Sequence, residues 1–422
     1  MTAPARWRAI PRALGHRNFG IYVAGNSVSL IGTWMQRIGV GWLAWELSHS
    51  GAVLGLVAFA DLFPTVVIGP FGGVLADRAD RLRMIRIAQS LIMLQALALF
   101  AFTAAGLMTV ELLLALVLFQ GVVIGFNQPA RLALIPSLVP RAELATAVAI
   151  NSIVFNTARF IGPALAGVVI VWSGVAAVFA LNALSFLAFL FALGRLRLEP
   201  TGLDPKGSRS SMLEAVREGV AYAIAHPGIG PILFLHAVIA LTARPFVELL
   251  PGFAADVFDR GASGLAILSS SVGAGAIVGG LWLAQRTETG RQTTITLGGG
   301  LLVAGAILGF ALTPWFGFAT LCAALAGFGM VCSGVGTQTL LQTAVEDGMR
   351  GRALSLFGLI LRGGPALGAL VMGGASEFVG LPAPLAVGAL LGVLACLSTW
   401  RRRAPITRSL GEGGPEASPW RA

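Results

Sequence analysis

The sequence predicts an all-α membrane protein with twelve transmembrane helices in two pseudo-symmetric six-helix bundles. Three observations carry that expectation: the composition is too apolar for a soluble fold, basic residues alternate with apolar runs, and the two halves of the chain repeat one another. Of 422 residues, 56% are hydrophobic and 11% charged, with a mean hydropathy of +0.83. Soluble domains run at roughly 45–50% apolar and 25% charged. A formal net charge of +10 would suggest nucleic acid in a soluble domain. Here the basic residues stand in short segments between apolar runs, so the expected partner is the lipid bilayer and not nucleic acid.

A helix crosses a bilayer with about 20 mostly apolar residues. Runs of that kind lie near 19–47, 51–76, 84–106, 109–129, 143–172 and 175–194. After a polar stretch, six more lie near 228–254, 263–284, 292–313, 315–343, 351–378 and 382–400. Arg6, Arg8, Arg12 and Arg17 precede the first run as in a signal peptide, but the run is longer than a signal's apolar core, so an uncleaved helix is expected. The predicted organisation is an N-terminal tail (1–18), a first bundle (19–194), a linker (195–227), a second bundle (228–400) and a disordered tail (401–422). Within the linker, Leu213, Val216 and Val220 have helical spacing and mark a short interfacial helix.

Orientation follows from the bias of Lys and Arg toward the cytoplasmic side. One side holds the N-terminal arginines, then Arg78, Arg81, Arg83 and Arg86, Arg131 and Arg141, and Arg195, Arg197, Lys206, Arg209 and Arg217. It continues with Arg286, Arg291, Arg350, Arg352 and Arg401 to Arg403. The turns on the other side, near His49, Leu107, Ser173, Asp256, Pro314 and Gly380, offer only Arg260. Both termini are therefore expected in the cytoplasm.

The halves match in order. Arg37 pairs with Arg244 and Gly72-Gly73 with Gly279-Gly280 at an offset of 207, and Gly162-Pro163-Ala164-Leu165 with Gly364-Pro365-Ala366-Leu367 at 202. Secondary transporters are often built from such repeats, with the substrate site between them.

With these residues in view, the chain resembles the major facilitator superfamily over about residues 15–400. Gly73-Val74-Leu75-Ala76-Asp77-Arg78-Ala79-Asp80-Arg81 is similar to its signature loop after helix two, with Asp80 where glycine is usual. The second copy, Gly280 to Arg286, is degenerate. Arg159 to Gly167 resembles the Gly-Pro motif of exporters in the superfamily. Together with Gln128-Pro129-Ala130-Arg131 and Ile135 to Pro140, it resembles the branch that contains the enterobactin exporter. Gln120-Gly121 resembles part of the helix-four motif, with Val117 where an arginine is frequent. The resemblance implies a secondary active transporter in a bacterial inner membrane. It would export a siderophore-like or drug-like small organic molecule by alternating access, coupled to protons and working as a monomer. The alternatives are an uptake symporter and a non-transporting receptor or scaffold.

Charges deep in a bilayer are costly, about 2.5–3.5 kcal/mol on insertion scales, and are functional candidates by default. Arg37 and Asp61 each lie 12 residues from His49 and so at similar depth. Asp61 is the candidate for protonation-linked coupling, and a static pair serving assembly is the equal alternative. Asn26, Thr33, Gln36, Asn156, Arg159, Arg244, Gln338 and Arg362 are candidates for the substrate cavity. Arg159 and Arg362 suit either an anionic or catecholate-like substrate or backbone carbonyls near Pro163 and Pro365. For Arg244, an i,i+4 pair with Glu248 is the plainer account. By resemblance, Gly73, Asp77, Arg78 and Arg81, together with Gly162, Pro163, Gly364 and Pro365, belong to the conformational machinery. Gly273, Gly275 and Gly279 lie inside a helix and read as close helix packing rather than dinucleotide binding. No P-loop motif is present, the four histidines are scattered, and Cys322, Cys332 and Cys396 lie in apolar runs without metal or disulfide spacing. No enzymatic activity, cofactor or metal is expected.

Overall fold

The computed structural model describes residues 10–197, 212–285 and 291–411. Arg6, Arg8, Lys206, Arg209 and Arg286, and the tail from 412 on, lie outside the described residues. Among the described residues every regular element is a helix. The first part of the chain forms α1 (Arg17–Ser48), α2 (Gly51–Arg78), α3 (Arg81–Ala104), α4 (Val110–Leu134) and α5 (Leu144–Arg195). Next come α6 (Met212–Ala225), α7 (Ile229–Thr242), α8 (Phe246–Gly252) with a π-helical turn at Phe253–Val257, α9 (Gly261–Ala284) and α10 (Gln292–Leu312). The last four are α11 (Phe316–Ala344), α12 (Asp347–Val379), α13 (Pro382–Arg401) and α14 (Arg403–Ser409).

Ten helical stretches among the described residues are long and apolar enough to cross a membrane. One of them, Arg141–Arg195, has 55 residues, more than twice the length that a core of about 30 Å requires at about 1.5 Å per residue. Its helix α5 breaks at Gly174, with φ 77° and ψ 167°, a region essentially open to glycine alone. Helix α1 is 32 residues long but is not among the ten, because Asn26, Ser29, Gln36 and Arg37 dilute its hydropathy. With α1 added and α5 taken as two arms, the helices are compatible with twelve crossings. Gly380, between α12 and α13, adopts φ 76° and ψ 162°, and 380 − 174 = 206 extends the repeat to backbone geometry.

The chain divides into two compact units. The first runs to His49 and resumes over Phe63–Ser208, and the second takes Ser50–Leu62 and everything from Arg209 on. In the first unit, α1 packs along α5, and α3 against α4 and α5. At one end of the unit, Phe19, Tyr22, Ile85, Leu134, Phe189 and Leu193 form a buried cluster. In the second unit, α11 packs on α9 and α10, while α7 is held by α12 and α13. Glycines permit the closest crossings. A Cβ on Gly279 would lie 2.9 Å from the Phe328 carbonyl oxygen, and one on Gly275 would overlap the Ala324 carbonyl, so α9 and α11 meet backbone to backbone. Cys322, Cys332 and Cys396 are free and buried.

Three local features differ from the sequence expectation. Gly73 to Arg78 are helical, so the loop between α2 and α3 shrinks to Ala79 and Asp80. Asp80 explains this: its carboxylate accepts from the backbone N–H of Leu82 (2.9 Å) and Arg83 (3.2 Å) and caps α3. The seventh span is interrupted at Ala243–Pro245, between α7 and α8, because Pro245 has no N–H to continue α7. The tail after Trp400 does not begin as disordered chain: Arg403–Ser409 is helical, and Ile406 and Leu410 pack with Ile229, Leu340 and Phe357.

Candidate functional site

In the first unit the candidate site is built on Trp34. Its α1 neighbour Arg37 holds its guanidinium carbon 5.8 Å from the indole centroid. Arg159, on the first arm of α5, places its own at 5.6 Å. Phe155, one turn before Arg159, meets the indole edge-on at 5.8 Å and 73°. Gly162 makes this approach possible, since a Cβ there would stand 2.5 Å from Trp34 Cβ and 3.1 Å from the Ile31 carbonyl oxygen. Trp34, Arg37, Asn156 and Arg159 are all half-buried. Asn156 donates to the Ser152 carbonyl at 2.8 Å, and Thr33 donates to the Ser29 carbonyl at 2.8 Å. Two forked cations against one electron-rich ring, beside a second aromatic, form a surface suited to an anionic, partly aromatic ligand. Sequence reasoning found both arginines and missed Trp34. An aromatic three residues before Arg37 on the same helical face was the available signal.

Two predicted cavity residues are engaged deep in helix packing. Gln36 is 1% exposed. It donates to Gln95 Oε1 (3.1 Å) and Gln120 Oε1 (2.8 Å) and accepts from Asn182 Nδ2 (2.7 Å), so this amide ties α1 to α3, α4 and the second arm of α5. Asn26, also 1% exposed, accepts from Arg131 Nη2 and donates to Asn151 Oδ1 at 3.4 Å. Arg131 in turn lies 5.5 Å from the Phe189 ring centroid. Val117, where an arginine is frequent in the superfamily, is 3% exposed core. Asp61 stands half-buried within α2, in the segment grouped with the second unit.

At the basic end of the first unit, Arg81 donates to the carbonyls of Ala76 and Ala133, both at 3.2 Å, satisfying groups that the last turns of α2 and α4 leave open. Asp77 and Arg78 are exposed, and Gly73 has open space around it. Gly72 is the glycine that lets α2 close on α4, with a Cβ there lying 2.5 Å from the Gly125 carbonyl oxygen.

In the second unit, Arg244 lies in the break between α7 and α8, where its N–H reaches back to the Ile239 carbonyl at 3.0 Å. No continuous helix therefore carries it to Glu248. Its Nη2 stands 3.9 Å from where a Cβ on Gly334 of α11 would be. Gly364 repeats the role of Gly162, with a Cβ there lying 2.5 Å from Ala240 Cβ of α7. Arg362 is half-buried and Gln338 exposed. His236 is 2% exposed, stacks at 4.8 Å and 41° on Phe357, and has no hydrogen-bond partner on either ring nitrogen.

The comparisons with known proteins agree with this architecture. The family model described as transmembrane secretion effector matches residues 12–413. The chain belongs to that family of the major facilitator superfamily. It is 25% identical over 365 residues to the staphyloferrin A transporter of Staphylococcus aureus, covering 85% of this chain and 90% of the relative. It is 27% identical over 337 residues to the enterobactin exporter of Escherichia coli, covering 78% of this chain and 76% of the relative. Among solved structures, a bacterial homologue of the lysosomal transporter Spinster, inward-facing and unoccupied, matches with TM-score 0.66 at 17% identity over 98% of both chains. The protein is thus a multi-pass membrane protein and a secondary transporter of small molecules.

Proposed function

We propose that this transporter exports a small organic anion, siderophore-like or drug-like, in exchange for protons. The observation that carries the reading is the Trp34 indole flanked by the guanidinium groups of Arg37 and Arg159 at 5.8 and 5.6 Å. Guanidinium forks match carboxylate and catecholate oxygens, while Trp34 and Phe155 offer ring faces. Two relatives, one named for staphyloferrin A and the other for enterobactin export, support the substrate class, and the second supports the direction. Asp61, a carboxylate inside an apolar helix, is assigned the coupling role because a proton relieves the cost of its charge in the membrane. Within the second unit, Arg244 and Arg362 are assigned as further contacts for an anionic substrate. Gly162-Pro163 and Gly364-Pro365 at helix crossings, with Gly73, Asp77, Arg78 and Arg81 at the basic end, are assigned to the change of access.

The test is flux of a catecholate siderophore and of a cationic dye in oriented vesicles under an imposed pH gradient. Wild-type protein is expected to drive the anion against its gradient when protons flow the other way. Asp61→Asn should abolish that drive, and Arg159→Gln should cut anion flux at least tenfold while leaving the protein folded. Anion and proton moving in the same direction would establish an uptake symporter. Absence of flux for either compound would favour a receptor or scaffold. Unchanged pH dependence in Asp61→Asn would remove the coupling role.

A further inference from the structure

A groove of about 570 Å³ opens between α6, α7, α12 and α13 of the second unit, within the roughly 300–1,000 Å³ of ligand sites. Its walls are apolar. Ile224 of α6 is 80% exposed and Phe234 of α7 63% exposed, and Ala237 and Ile360 continue the lining away from the helix ends. One end is different: Thr399 and Arg402, at the C-terminus of α13, close it with polar atoms. Arg402 sits in the run Arg401, Arg402, Arg403, all exposed, and Arg403 lies over the Trp400 ring at 5.1 Å.

We propose that this groove binds one anionic phospholipid, with an acyl chain along Phe234, Ala237 and Ile360 and the phosphate on Arg402. Three features select this occupant. Ile224 and Phe234 present exposed apolar side chains to the groove, which an acyl chain would cover. The charge is at one end only, which matches a molecule with an anionic head and an apolar tail. The groove lies where basic loops and an indole gather, and basic pockets between helices at that depth suit anionic head groups. The amphipathic helix α6 supplies the remaining wall. It is fixed to the bundle by Glu218, which pairs with Arg352 at 2.7 Å, and by Ala223, which is buried among Ile229, Leu340 and Phe357. A lipid there would bridge the linker helix to α7 and α13. The inference is independent of the export reading, because none of these residues belongs to the Trp34 site.

Native mass spectrometry of the full chain in detergent, titrated with phosphatidylglycerol, phosphatidylcholine or inorganic phosphate, tests it. One phosphatidylglycerol per chain is expected to stay bound, at least tenfold more tightly than phosphatidylcholine. Arg402→Gln should erase that preference, and Ala237→Trp, which fills the groove without touching the charge, should lower retention of both lipids. Should Ala237→Trp fail to fold, quenching by brominated-chain phosphatidylglycerol of the added indole in Phe234→Trp, against the wild-type signal, reads the same contact. Equal retention of the two lipids, an unaltered preference in Arg402→Gln, absence of added quenching, or displacement by millimolar inorganic phosphate would each overturn the proposal.

Discussion

His226 joins the linker helix to the second bundle through one ring nitrogen. Its Nδ1 accepts from the backbone N–H of Gly228 (3.1 Å) and Ile229 (3.2 Å) at the start of α7, a role only the unprotonated nitrogen can fill. Burial pushes its pKa below the usual histidine value, with nearby Glu346 opposing. Because the folded pKa is depressed, the unfolded state binds the proton more readily. The contribution to stability is whole above about pH 6.5 and is lost as pH falls through the folded pKa. A helix cap is worth about 1 kcal/mol, roughly fivefold in the population of an opened junction. Wild-type protein is therefore expected to become more sensitive to proteolysis between residues 217 and 229 on going from pH 7.5 to 5.5. His226→Asn, which caps without titrating, should be much less affected, and an equal rise in both would sink the account. Legibility at this scale depended on whether a residue's chemistry is used up by neighbours. Arg37 and Arg159 stood out because buried charge is rare, and they do meet at one ring. Asn26 and Gln36 looked like the same kind of signal, but an amide can be satisfied by other amides, and Gln95, Gln120 and Asn182 come from three other helices whose approach no local pattern in α1 reveals.

Helices were legible from apolar runs, while the places where they break depended on single backbone positions. Gly174 breaks what would otherwise be one continuous 52-residue helix. The sequence offered a turn near Ser173 through the gap between the apolar runs 143–172 and 175–194 and through the alternation of basic loops. The Gly174 φ of 77° makes a testable element-level claim. A Cβ at Gly174 would have no heavy atom within 4 Å, so Gly174→Ala should cost about 1–3 kcal/mol purely in backbone conformation. Gly280→Ala is the control: it also meets nothing within 4 Å but sits in ordinary helix α9 and should be neutral or slightly stabilising. Thermal unfolding in detergent separates the two, and equal melting temperatures would mean that the turn does not depend on glycine. The short helix α14 was hidden for a related reason. Its Arg- and Pro-containing sequence lacks an apolar stripe, and what holds it is seen only in the cluster that Ile406 and Leu410 share with Ile229, Leu340 and Phe357, residues remote in sequence.

At the scale of the whole molecule, the alternation of basic and basic-free turns predicts an orientation that can be read in cells. A Lys or Arg at a helix centre costs about 2.5–3.5 kcal/mol on insertion scales. Moving the many arginines of one side across the bilayer is therefore opposed at every loop, whereas the other side carries only Arg260 in its turns. Leu107 and Trp172, 64% and 83% exposed, sit at turns of the basic-free side, and Arg141 and Arg197 are exposed at the basic side. The three native cysteines are buried and leave a low labelling background, so single cysteines report sidedness in the wild-type chain. A membrane-impermeant maleimide is expected to label Leu107→Cys and Trp172→Cys on intact cells, and Arg141→Cys and Arg197→Cys only after the membrane is opened. The pair Trp172 and Arg197 carries the most weight, because Trp172 lies on the first arm of α5 and Arg197 just beyond the end of the second. If both label from the same side, the break at Gly174 is not a turn between two crossings. The later basic loops would then need another explanation for their sidedness, and the count of twelve would fall. Opposite labelling would tie the φ of one glycine to the placement of every helix after it.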